Sequence, residues 1–155
     1  MRGTTVATLA LLLVLCSLAA HASDKPTLWI EAGTASNTPA GCGGWMIYSD
    51  GRMVWNQQTG VEMIKHRERH LSKAQMKMLD DLIDGTHFFD LPNGIGNGGR
   101  GEPTAAYLTV TRHGRSYHVE SFDGGDRSDA SKRFNTLYRK IMTLGGDADS
   151  SAPLR

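Results

Sequence analysis

The chain has 155 residues, of which 39% are hydrophobic and 21% charged, with a formal net charge of +1 at neutral pH. A balance this close to zero excludes a whole-domain attraction to nucleic acid or to an anionic membrane, both of which require a basic surface. The length provides for one modest core, not two.

Residues 1–22 read as a secretory signal peptide. Arg2 supplies the positive start, residues 9–18 form an apolar run, and Ala20-His21-Ala22 has the small-x-small form of a cleavage site. The run falls short of the roughly 20 apolar residues that a spanning helix needs. The mature chain is therefore expected to lack a transmembrane segment and to be periplasmic or secreted. Removing Arg2 leaves its basic and acidic residues balanced. Cys16 leaves as well, so Cys42 has no intramolecular partner and packing alone must hold the fold.

Past a polar start, residues 27–32 (TLWIEA) have the composition of a short strand. Residues 33–44 are rich in Gly, Ser, Thr, Asn and Pro and predict a loop. Strands over 45–48 and 53–57 flank Asp50-Gly51, where a type I′ turn requires positive φ at both central residues. Residues 61–70 predict a further strand whose charged second half suits a sheet edge. Ser72-Lys73-Ala74-Gln75 has the form of a capping box, with Leu71 and Met76 placed as its hydrophobic staple. Met76, Leu79, Leu82 and Ile83 then recur at helical spacing, which predicts a helix over 73–84 with Gly85 as its left-handed terminator.

Phe88, Phe89 and Leu91 are expected to carry aromatic and aliphatic mass into the core. The glycine-rich stretch 93–103 predicts a mobile loop. Residues 104–112 and 116–122 predict a hairpin around His113-Gly114, and alternation leaves open which face of its second strand is buried. The last helix, 128–143, presents Ala130, Phe134, Leu137 and Ile141 on one stripe and stops at Gly145-Gly146. Residues 147–155 predict a disordered tail. Together these elements predict one α+β domain over 23–146. It should be an antiparallel sheet of about four to five strands with two helices on one face, in the order strands, helix, hairpin, helix.

Candidate chemistry is sparse. On a strand, His66 and His70 lie about 13 Å apart, too far to share an ion, and the zincin pattern needs Glu directly after the first His of a helix. No metal site and no cofactor is expected. The glycines at 94–99 follow a helix instead of a strand, so they do not make a dinucleotide fingerprint. A small hydrolase would need Cys42, or a serine, beside His87, His113 or His118, and no Gly-x-Ser-x-Gly elbow is present. Asp80, Asp81 and Asp84 read as a solvated helix face. Lys65, Arg67, Arg69, Lys73 and Lys77 form a locally basic segment suited to an acidic protein surface or an anionic envelope polymer. Gly41-Cys42-Gly43-Gly44 feeds Trp45, an aromatic anchor for a protein partner.

From residue 43 to about 145 the chain resembles the emfourin-type inhibitors of thermolysin-like metalloproteases, and also small secreted bacterial domains that carry an Asp-Gly hairpin ahead of a helix. The matching features are Gly43-Gly44 before an aromatic strand, the helix running into Phe88-Phe89-Asp90-Leu91-Pro92, Tyr107-Leu108-Thr109-Val110, Gly114-Arg115 with His118-Val119, and a terminal amphipathic helix. The resemblance implies a non-enzymatic binding module that plugs a protease cleft, with residues 43–46 laid along the active site. Gly43 and Gly44 carry the match there; Trp45 extends it. On this reading Gly44→Arg abolishes inhibition and leaves the fold intact. The competing expectations are a hydrolase built on Cys42 or a histidine, and an envelope protein that binds an anionic polymer.

Overall fold

The structure is a computed structural model that describes residues 26–36, 42–59, 62–96, 104–122 and 127–146. The signal peptide and tail expected from the sequence lie outside these residues. The elements in chain order are β1 (Leu28–Ser36), β2 (Cys42–Tyr48), β3 (Arg52–Thr59), β4 (Glu62–His70), α1 (Lys73–Gly85), a 3-10 turn (Phe88–Asp90), β5 (Gly94–Ile95), β6 (Thr104–Arg112), β7 (Arg115–Ser121) and α2 (Asp129–Gly145). The α+β class and the two helices agree with expectation. The sheet, however, has seven strands in the order β4-β3-β2-β1-β6-β7-β5, and it is mixed.

Three strand segments come from stretches read as loops. Residues 33–36 and 42–44 continue β1 and β2, with Gly33 opposite Gly44 and Thr34 opposite Gly43. Their composition signals a loop, but ladder hydrogen bonds need no side chain, and flanking strands supply the packing that local propensity lacks. β5 is two residues long and runs parallel to β7, with Glu120 N–H donating to Asn93 O (2.8 Å) and Phe122 N–H to Ile95 O (3.0 Å). A pairing that short leaves no periodicity to read.

Cross-strand pairing fixes which face is buried. Ile30 stands opposite Ile47 and Val110, Ala32 opposite Trp45 and Leu108, and Leu108 in turn opposite Val119. These residues form one cluster with Leu79 and Ile83 of α1 and Phe134, Leu137 and Ile141 of α2, so both helices cover the same face. Tyr117, Val119 and Ser121 are the core-side residues of β7. Among the described residues, the opposite face has no helix across it.

Local signals act as their chemistry requires, with two exceptions. Ser72 Oγ accepts from Gln75 N–H (3.3 Å) and Gln75 Oε1 accepts from Ser72 N–H (2.8 Å), the reciprocal capping box. The end of α1 departs from expectation: Gly85 is its last helical residue, Thr86 follows in the right-handed region, and the left-handed residue is His87 at φ 47°. The Asp50-Gly51 turn departs as well. Only Gly51 has positive φ (88°), while Asp50 Oδ1 accepts from Arg52 N–H (2.9 Å), so the loop is not type I′. Positive φ at two successive residues occurs instead at His113 (52°) and Gly114 (73°).

Candidate functional site

α1 lies along one end of the sheet and turns two faces in different directions. Its helical spacing sends Leu79 and Ile83 into the core and leaves Lys77, Asp80, Asp81 and Asp84 in solvent. Asp80 and Asp84, one turn apart, both accept from Arg112 at the end of β6, with Nη1 2.5 Å from Asp84 Oδ1. The guanidinium hydrogen bond holds the Asp84 carboxyl below its ordinary value, and the two carboxylates push the Arg112 pKa upward. The aspartates are thus more than a solvated face, since they tie α1 to the sheet.

Beside this clamp is an open groove of about 520 Å³ lined by Trp29 and Met76 and edged by Lys77, Asp80, His113 and Ser49. The pairing of β1 with β2 slips between Leu28 and Ile30, a bulge at Trp29. Bulges re-aim side chains, and this one sets the indole against the core edge beside α1. Ser49 fixes the groove wall: its Oγ accepts from Thr27 N–H (3.0 Å) and its own N–H donates to Thr27 O (2.9 Å).

Near Arg112 stands Phe89. Of the Phe88-Phe89 pair, only Phe88 enters the core; Phe89 is 37% exposed, against 0% for Phe88. The left-handed His87 starts the 3-10 turn that separates the two rings, and Arg133 of α2 ties that turn down by donating to Thr86 O and His87 O (both 2.6 Å). Phe89 then packs against Tyr117 (6.1 Å between centroids) with the Arg112 guanidinium 6.0 Å from its ring. Sequence reading missed this residue, because two adjacent phenylalanines carry no mark of which one the chain will turn outward.

The glycines and Trp45 singled out above have core duties. Trp45 is 1% exposed, stacks obliquely on Trp55 (5.2 Å, 58°) and lies against Gly145 of α2. It is an anchor for the fold and presents no ring to a partner. Gly43 and Gly44 point to opposite faces: a Cβ on Gly43 would lie 2.9 Å from the Trp55 ring, and one on Gly44 would lie 2.8 Å from Ala32 O and 3.1 Å from the Tyr107 hydroxyl. Gly43 makes room for an indole, and Gly44 for the β1 backbone and the Tyr107 hydroxyl. Gly44→Arg therefore cannot leave the fold intact. β2 also has β1 on one side and β3 on the other, so residues 43–46 offer no free backbone edge to a protease cleft.

The basic segment is divided between elements. Arg67 and Arg69 stand opposite Trp55 and Met53 on β4, and Lys73 and Lys77 belong to α1. Lys77 is paired with Asp81 (2.7 Å) and Arg69 donates to Leu144 O at the end of α2. Lys65 stands opposite Gln57, and its side chain, like that of Cys42, lies outside the described residues.

On the helix-free face, Thr109 Oγ1 and His118 Nδ1 are 2.8 Å apart and His118 Nε2 and Glu120 Oε1 3.2 Å apart, the connectivity of a hydroxyl, base and orienting acid. The His118 side chain is 49% exposed, and it stands on β7, whose outer side pairs with β5 only at Glu120 and Ser121. His87 and His113 stand elsewhere, in turns. Among the described residues, no three His, Cys, Asp or Glu side chains come together as metal ligands. No described helix is long and apolar enough to cross a membrane. Compared with known proteins, the chain matches no family model and no curated protein.

Proposed function

We propose that the chain is an exported, non-enzymatic binding module that grips a protein partner along the α1 edge of its fold. The specific form implied by the resemblance is inhibition of a thermolysin-type metalloprotease. One observation carries the reading: Phe89 is turned outward by a left-handed residue, a conformation that costs a non-glycine side chain about 1–2 kcal/mol, and it stands beside Arg112 and Tyr117. Strained backbone accumulates where function requires it. Partly exposed aromatic and arginine side chains in contact with one another have the composition of interface hot spots. The Thr109–His118–Glu120 chain is solvent-exposed, with no enclosed cleft lined by its side chains among the described residues, which favours binding over catalysis.

The module binds through Phe89 and the groove, not through residues 43–46. Purified protein should inhibit at least one member of a panel of thermolysin-type metalloproteases in stoichiometric fashion. Phe89→Ala should weaken that inhibition by about tenfold or more with only a modest fall in melting temperature, because the ring is 37% exposed and packs only at the margin of the core. Silence across the panel discards the inhibitor form, and full inhibition by Phe89→Ala places the contact elsewhere.

A further inference from the structure

The helix-free face carries a second construction, separate from Phe89 and the groove. Tyr107 of β6 stands opposite Gly33 of β1, which stands opposite Gly44 of β2. The Tyr107 hydroxyl is 3.0 Å from where a Cβ on Gly33 would be and 3.1 Å from one on Gly44, and it donates to Glu31 Oε1 (3.0 Å). The phenol therefore leans from β6 across β1 toward β2 and rests on two residues with no side chain. A larger residue at either position would meet both the backbone of the neighbouring strand and the Tyr107 hydroxyl. The His118 imidazole lies nearly parallel to it, at 27° with centroids 5.8 Å apart, and is fixed at both nitrogens by Thr109 and Glu120.

The product is a two-ring platform lying along a strand surface, with a carboxylate at each end, Glu31 and Glu120, and the hydroxyl of Thr109 beside it. Its charge restricts the ligand. β1 and β2 contain no lysine or arginine, Arg112 and Arg115 of β6 and β7 share the core-side parity of Val110 and Tyr117, and Arg52 of β3, on the same face as Glu31, sits over the Tyr48 ring (4.2 Å). The platform is thus acidic locally and repels a polyanion. It is also too flat to enclose an apolar molecule. Flat rings that offer a π-face, bordered by hydrogen-bonding carboxylates and a hydroxyl, match the chemistry of a pyranose, whose C–H face is apolar and whose hydroxyls radiate from its edge.

We propose that this face binds a glycan of neutral or amino-sugar units, with Tyr107 as the stacking surface and Glu31 and Glu120 as acceptors for sugar hydroxyl or amide N–H groups. The reading is independent of the protein partner proposed above and survives its failure.

The test titrates the purified protein with chitotetraose and cellotetraose, read by saturation-transfer NMR and calorimetry, and with polygalacturonate as the anionic control. Saturable binding of at least one neutral tetrasaccharide is expected, with none of the polyanion. Tyr107→Ala should weaken the tetrasaccharide by about tenfold or more, the loss of one ring face, whereas Tyr107→Phe should keep most of the affinity. Should Tyr107→Ala fail to fold, His118→Ala and Glu120→Gln, both at exposed side chains, serve in its place and should each weaken binding at an unchanged melting temperature. Failure of both tetrasaccharides at millimolar concentration overturns the proposal. So does binding that the Tyr107, His118 and Glu120 variants leave intact, or preference for the polyanion.

Discussion

Gly85 and Gly145 each close a helix, yet a methyl group at the two positions meets opposite surroundings. A Cβ on Gly85 has nothing within 4 Å, and the residue's φ is not left-handed. Gly85→Ala should therefore stabilise the protein by about 0.5–1 kcal/mol, chiefly by restricting the unfolded chain. A Cβ on Gly145 would lie 2.2 Å from Cε2 and Nε1 of Trp45, a buried indole with no room to move. Gly145→Ala should cost about 1–3 kcal/mol as an overpacking defect. Urea midpoints moving in opposite directions confirm the pair; two shifts of the same sign would mean that Trp45 yields to the methyl. Nothing in Gly145-Gly146 distinguishes the two residues as a sequence signal. The structure divides the work: Gly146 takes the left-handed conformation (φ 89°) and Gly145 the contact with the indole.

The helices are held by devices of different legibility. The α1 start could be read in advance because a capping box is a local exchange between residues three apart. The attachment of α1 to the sheet is not local: Asp80 and Asp84 meet Arg112 some thirty residues on. That attachment has a pH signature. The Asp84 carboxyl is held below its ordinary value of 3.8 by the Arg112 hydrogen bond, so in that range the unfolded chain binds more protons than the folded one. The contribution is present above 3.8 and is lost as pH falls through the lower folded value. Asp84→Asn should flatten the acid limb of the melting temperature against pH below 3.8; an identical limb in both proteins would show that the ion pair is fully screened. Lys77 works in the opposite sense, since its bond to Asp81 raises it above 10.5 and its contribution disappears only as alkaline pH passes the raised value.

For the molecule as a whole, one cluster joins the sheet to both helices, and Trp45 sits where β2 meets the end of α2. Neither helix can leave without exposing residues that the other also covers. Unfolding followed by far-ultraviolet circular dichroism and by tryptophan fluorescence should therefore give coincident transitions; separate midpoints would mean that a helix undocks independently. What the amino-acid order settles unaided is whatever depends on near neighbours: the α+β class, the capping box, the apolar stripes of both helices and the His113-Gly114 turn. What needs the assembled fold is every property set by residues far apart in the chain. Gly33 and Gly44 look like a loop until β6 lays Tyr107 across them, Trp45 looks like a surface anchor until α2 closes over it, and Phe89 is turned outward by a backbone twist at His87 that Arg133 secures from the far helix. Hydrogen-bonding and periodic signals decay within a turn or two of chain, whereas burial and strain are decided by which distant surfaces come together, and that is determined only when the whole sheet has formed.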